Sequence, residues 1–219
     1  MLNDRLSWAA TAATVAIMFF AIVWVQPLVV AMRTSYVLAG GIAGAIASLG
    51  IYRLLASGLL WLFGKSIGLR ALILGKGFLE GTWVGHYLHG DQHRFTIEYI
   101  DQSSGSTVIH GREFDEAGKT RASWSSDTVS IDTVHMQLVY AYTCKVFERK
   151  HVQEGLGVFA MVRESDDKAA VKLDGYAVDL IDGDRDPNTE YKIDNKPVPD
   201  EQALSKARET FHVPVGAGN

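Results

Sequence analysis

A chain of 219 residues, 47% of them hydrophobic and with a net charge of −4, carries that charge very unevenly. Six of its 21 Lys and Arg but only one of its 25 Asp and Glu precede residue 77, which leaves +5 on the first segment and −9 on the rest. A −9 domain has no basic footprint with which to displace counterions, so duplex nucleic acid is excluded as a partner, and a lone Cys144 excludes an intramolecular disulfide and suits a reducing cytosol.

Arg5 and Arg33 bracket twenty-seven residues without a charge, Leu6 to Met32, and a second uncharged run of nineteen, Thr34 to Tyr52, follows. The first exceeds the roughly 20 apolar residues that an α-helix needs to cross the hydrocarbon core. Two spans and a tight turn predict a membrane hairpin. The turn holds only Arg33, whereas Arg53, Lys65, Arg70 and Lys76 follow the second span and Arg5 precedes the first. The positive-inside rule therefore expects both termini in the cytoplasm. Trp8 sits where an interfacial anchor would, and Pro27 kinks or ends the first span.

Small residues recur at helical spacing in the second span, Gly40, Gly44 and Ser48, with Gly41 and Ala45 beside them. Such a stripe lets helix backbones approach, either between copies of the chain or within one hairpin. Leu54 to Leu74 stays apolar but is punctuated by Lys65 and Arg70, and is expected to extend the second helix and then lie in the interface with Trp61 and Phe63 buried. Gly75-Lys-Gly77 reads as the joint, dividing a 1–76 membrane segment from a 77–219 cytoplasmic domain.

From Phe78 the period changes to two. Strands are predicted at Glu80 to His89, His93 to Asp101, Thr107 to Phe114, Thr120 to Ser126, His135 to Val146, Leu156 to Val162 and Val171 to Leu180. Turn signals separate them, among them His89-Gly-Asp, Glu116-Ala-Gly-Lys and Ser126-Asp. Seven or eight such strands indicate a compact antiparallel, about eight-stranded β-barrel, and Gly81, Gly85, Gly111, Gly157 and Gly175 suit the bends that closure requires. Asp182-Gly-Asp-Arg-Asp-Pro has the acid spacing of a calcium loop but Pro187 where glycine belongs and Ile193 where glutamate belongs, so it reads as an acidic turn. A short helix is expected from Pro199 to about Thr210 with Asp200 as N-cap.

His86, His89 and His93 with Asp91 cluster at the first hairpin, but strand alternation puts His86 and His89 on opposite faces, so no metal is expected. No hydrolase, zinc-protease, P-loop or dinucleotide-binding motif occurs, and an enzyme is the weakest class. Trp83, Gly85 and Tyr87 share one strand face and Tyr140 and Tyr142 another, with Trp124, His110, Arg112 and Lys172 elsewhere in the strands. Either these aromatics fill the barrel, as Trp83 does in reading as a plug, or they line a pocket where bases stack and cations meet phosphate.

Two N-terminal spans, then G-T-W-V-G-H-Y (Gly81 to Tyr87), G-R-E-F-D-E-x-G-K (Gly111 to Lys119), A-S-W-S-S-D (Ala122 to Asp127), L-V-Y-A-Y (Leu138 to Tyr142) and L-D-G-Y-A-V-D (Leu173 to Asp179) give the chain its character. In this arrangement it resembles the two-transmembrane β-barrel effectors of cyclic-oligonucleotide-based antiphage signalling (CBASS). The resemblance implies a barrel that binds a cyclic dinucleotide made by a partner nucleotidyltransferase after phage infection, with no cofactor and no catalytic residues. Binding then drives the hairpins into a homo-oligomer and the inner membrane fails. On side-chain chemistry Tyr87, Trp124 and Tyr142 are expected to stack on bases and Arg112 and Lys172 to meet phosphates, with His110 and Tyr140 in the same site, while Gly40, Gly44 and Ser48 pack the assembled helices. Two rivals stand beside it: a lipocalin-like carrier of an apolar ligand, which requires Arg112 and Lys172 to point outward, and a membrane adaptor with a filled interior and an exposed apolar patch.

Overall fold

The computed structural model describes Trp8 and residues 11–20, 23–24, 50, 53–54, 56–103, 106–148, 152–180, 183 and 185–213. The chain divides into two compact units, Met1–Ile73 and Leu74–Asn219.

In the first unit, α1 is the apolar helix Thr11–Phe20, and α2 (Ala56–Lys65) is followed by α3 (Ile67–Leu74). Among the described residues no single helix is long and apolar enough to cross a membrane; the pair formed by Ala56–Lys65 and Ile67–Gly77 passes by composition but is bent by 104°. Most of the second predicted span, including Gly40, Gly44 and Ser48, lies outside the described residues. Local chemistry accounts for the bend. Ser66 leaves the helix and its hydroxyl accepts the Leu69 N–H at 3.2 Å, capping α3. Arg70 donates to the Phe63 and Gly64 carbonyls at 2.8 and 2.7 Å, satisfying the end of α2. The stretch expected to extend the second helix and then turn into the interface is thus bent at Ser66, and of the two aromatics expected to be buried there, Phe63 is buried while Trp61 is exposed.

The second unit is a closed antiparallel barrel with strands in chain order: β1 (Gly81–His89), β2 (Gln92–Asp101), β3 (Val108–Asp115), β4 (Thr120–Asp132), β5 (Gln137–Val146), β6 (Val152–Arg163), β7 (Ala170–Asp179) and β8 (Arg185–Asp194). A final helix, α4, covers Asp200–Thr210. Every strand pairs with its sequence neighbour, and β8 closes on β1. At the seam Gly81 has φ +135, and a Cβ there would sit 2.0 Å from the Asp194 carbonyl, so only glycine lets the two ends meet.

Three predicted boundaries shift. Much of the stretch read as an acidic turn belongs to the closing strand: Arg185 begins β8, and Gly183 before it has φ +75. Its polarity hid it, because its exposed residues face water and its inward ones face other polar groups. Ser126-Asp127 is no turn but a β-bulge within β4, where the register against β5 shifts between Ser126 and Thr128. One extra residue exchanges the faces, so Trp124 points inward before the bulge while Val129 and Ile131 pack on the core after it. Asp200 does not cap α4, whose N-cap is Pro199; its carboxylate takes the Tyr99 hydroxyl at 2.6 Å and the Arg112 guanidinium instead.

The core is in two parts. Trp83, Leu79, Ile100, Ile109, Leu138, Phe159, Met161 and Leu173 fill one end of the barrel. Trp83 is fully buried, its indole N–H donates to the Leu79 carbonyl at 2.8 Å, and the Lys192 ammonium lies 5.7 Å from its ring and 4.3 Å from that of Phe78. Burial pulls that ammonium down to about 8. Outside the wall, α4 lays Ala203, Leu204 and Ala207 on Val84, Phe95, Ile97 and Phe114. β2 is consequently buried on both faces.

Candidate functional site

The end of the barrel opposite Trp83 holds a cavity of about 380 Å³. It receives four of the residues expected to bind a ligand: Tyr87, Trp124, Tyr140 and Tyr142. Strand glycines seat three of these rings. A Cβ on Gly111 would fall 2.1 Å from Trp124, one on Gly155 2.2 Å from Tyr142, and one on Gly157 2.6 Å from Tyr140. Gly111 and Gly157, expected to serve the bending of the barrel, thus make room for aromatic faces laid flat along the wall. The rings form a continuous band, Trp124 to Tyr142 at 6.4 Å, Tyr142 to Tyr140 at 5.8 Å, and Tyr140 stacked on Phe159 at 6.1 Å.

The expected cations are elsewhere. His110 and Arg112 lie on the outer face of β3, where Arg112 pairs with Asp200 of α4. Lys172 lies on the outer face of β7, paired with Asp174 at 3.3 Å and 5.9 Å from the Tyr191 ring. Strand alternation decides this: inward-facing Gly111 and Glu113 flank Arg112, and inward-facing Leu173 follows Lys172. The cavity's guanidiniums are Arg94 and Arg121. Arg94 is nearly buried, with Nη2 donating to Gln92 at 2.9 Å and Nε 3.7 Å from Glu113; its Nε and Nη1 have no hydrogen-bond partner. Arg121 pairs with Glu148 at 2.8 Å and Asp115 at 3.9 Å.

Two acids that strand period alone did not mark lie deep in the barrel, Glu98 on the cavity wall and Glu190 behind it. Each is 1% exposed, and the Oε2 of each is buried without a hydrogen-bond partner. Burial raises both carboxyls above the carboxylate range, with Glu98 adding to the rise at Glu190. The Glu98 Oε1 accepts from Tyr140 at 2.6 Å and Trp124 at 2.9 Å, and the Glu190 Oε1 accepts from Asn188 at 2.8 Å. The acid pair therefore fixes two of the aromatic rings. Burial, then the Glu98 charge, pushes the Tyr140 hydroxyl up, and burial does the same to Tyr87 and Tyr142; all three are hydrogen-bond donors at neutral pH.

The β1–β2 turn carried a signal for these residues. His89 pairs with Gln92 across a two-residue turn, which sets Tyr87 opposite Arg94, Gly85 opposite Thr96 and Trp83 opposite Glu98. Once Trp83 faces inward, so must its partners. Amphipathic reasoning on β2 alone misleads, because Phe95, Ile97 and Tyr99 face α4 rather than the barrel interior.

Of the histidine cluster, His86 and His93 sit on the outer wall, nitrogen to nitrogen at 2.7 Å, with His86 5.3 Å from the Phe211 ring, while His89 lines the cavity. Cys144 also lines it. Among the described residues no group of three His, Cys, Asp or Glu is arranged to hold a metal. No protein-family model, curated protein or solved structure matches this chain.

Proposed function

We propose that this chain is a membrane-anchored receptor whose barrel binds a cyclic dinucleotide and signals through its N-terminal segment. The convergence of Tyr87, Trp124, Tyr140 and Tyr142 in one cavity beside Arg94 and Arg121 carries this reading. Flat rings stack on bases whatever the base, and guanidiniums fork onto phosphate. The phosphates belong with Arg94 and Arg121, not with Arg112 and Lys172. Support for the anchor is in the sequence: two charge-free runs, Leu6 to Met32 and Thr34 to Tyr52, the Gly40, Gly44, Ser48 stripe within the second, and the basic flank that follows it. On this reading the ligand, made by a partner nucleotidyltransferase after phage infection, drives two-span hairpins with cytoplasmic termini to assemble in the inner membrane and break it, as in the CBASS effectors that the chain resembles.

Thermal unfolding of the detergent-solubilised full chain against a panel of cyclic dinucleotides tests the receptor. A ligand at ~100 times its Kd adds about 2.7 kcal/mol to a folded state that alone binds it. A rise in Tm with one or two members is expected; a flat response across the panel rejects the nucleotide. A lipocalin-like carrier is favoured by one observation, the outward placement of Arg112 and Lys172, and fatty acids in the same assay would reveal it. The open cavity does not fit the filled interior that an adaptor would have.

A further inference from the structure

Stacking and phosphate binding leave the floor of the cavity unused. At Gly85 of β1 a Cβ would lie 2.2 Å from Thr96 Oγ1, 2.8 Å from Asn188 Oδ1 and 3.0 Å from Glu190 Cγ, so three polar side chains from β2 and β8 converge over the glycine and fill the room it leaves, and a larger residue there would displace them. Thr96, Glu98 and Glu190 are buried to 6%, 1% and 1% exposure, and the Arg94 side chain to 8%. Asn188 Oδ1 and Arg94 Nε and Nη1 are buried without a hydrogen-bond partner. A buried polar atom left unpaired is costly, and so many in one place constitute a set of hydrogen bonds waiting for a partner.

The set has a definite chemistry. It offers acceptors at Asn188 and Glu98 and a hydroxyl that does either at Thr96. It carries no positive charge of its own: Arg94, two residues along β2 from Thr96, faces Glu113 at 3.7 Å, and the deepest groups are the buried carboxyls of Glu98 and Glu190. A carboxylate or phosphate at this depth would be desolvated beside acids. A planar ring whose edge carries both N–H and C=O or ring nitrogen meets every one of these groups, with Tyr140, Phe159 and Trp124 beside its faces.

We infer that the part of the cavity lined by Thr96, Glu98 and Asn188, with Gly85 and Glu190 packed behind them, is a subsite for a neutral, hydrogen-bonding heterocycle edge, and that its acids turn anions back towards the arginines. This rests on the receptor reading and deepens it: base selectivity of the receptor resides at the floor, while Arg94 and Arg121 hold any phosphate regardless of base.

Saturation-transfer NMR on the full chain in detergent, with uridine, cytidine, adenosine, benzamide and benzoate as probes, tests the subsite. Benzamide and benzoate share a ring and differ in charge. At least one nucleoside and benzamide are expected to bind, benzoate is not, and Gly85→Val is expected to weaken the bound probes by about tenfold or more. Glu190→Gln keeps the size of the side chain that accepts from Asn188 but changes the donor pattern behind the floor, and is expected to change the ranking of the nucleosides even if the valine variant does not fold. Benzoate binding as well as benzamide, no binding by any nucleoside, or an unchanged ranking in Glu190→Gln would overturn the inference. Nucleosides that bind while no cyclic dinucleotide does would reject the receptor and leave the subsite standing. Cyclic dinucleotides that bind with the same base preference in wild type and Glu190→Gln would do the reverse.

Discussion

The two ends of the barrel are built from the same eight strands and differ in what those strands send inward. At one end Trp83, Ile100, Ile109, Leu138 and Leu173 pack against one another. At the other the inward positions carry Arg94, Glu98, Tyr142 and Asn188 around a cavity. Apolar packing at the first end supplies the free energy of folding. That stability lets the second hold buried polar groups whose partners are absent, which a marginal fold would not tolerate. Folding and recognition are thus separated along the barrel axis, and substitutions at the two ends should have different signatures.

The largest effect is expected at the packed end. Trp83→Ala removes a fully buried indole and its bond to Leu79, and should cost about 3–5 kcal/mol in denaturant unfolding. A cost below ~1 kcal/mol would show that Trp83 is not the plug. Next comes an aromatic seat: Gly157→Ala places a methyl 2.6 Å from Tyr140, which must move, at about 1–3 kcal/mol, together with weaker binding of any ring ligand in the cavity. Unchanged affinity would mean that the ring's position is not used.

At the open end the acid pair sets a pH dependence. Burial holds Glu98 and Glu190 above their unfolded values, so the folded state binds protons the unfolded chain has released. Their contribution is complete below the ordinary carboxylate range and is lost as pH rises from there through the folded values. Glu190→Gln should therefore gain in Tm relative to wild type as pH rises above the ordinary carboxylate range, and a pH-independent difference would contradict the raised carboxyls. The smallest effect is expected outside the barrel. Arg112→Ala breaks an exposed ion pair with Asp200 and should cost about 0–1 kcal/mol with ligand affinity unchanged, whereas Arg121→Ala should weaken any phosphate-bearing ligand. Loss of binding in Arg112→Ala would return that residue to the site.

Much of the barrel was legible because an alternating pattern needs only local information. Seven of its strands and the helix over Asp200–Thr210 follow from side-chain period and turn residues. The inward aromatics were legible too, since Trp83 and Tyr87, four apart, and Tyr140 and Tyr142, two apart, keep to one face of their strands. The cations were not. Whether Arg112 or Arg94 points inward depends on which face of each strand meets the interior, and that is set by register with neighbours and by what covers the outer wall.

By itself the sequence determined the charge-free N-terminal runs, the acidic balance of the remainder, and the period-two texture that makes a barrel, because each depends on composition or on neighbours along the chain. Only the tertiary structure decided that a polar stretch after Leu180 is the closing strand, that α4 covers β2 and so reverses its apparent faces, and that Thr96, Asn188 and Glu190 converge over Gly85. Strands distant in sequence bring these groups together, and pairing between β1 and β8 is a contact that no local pattern encodes.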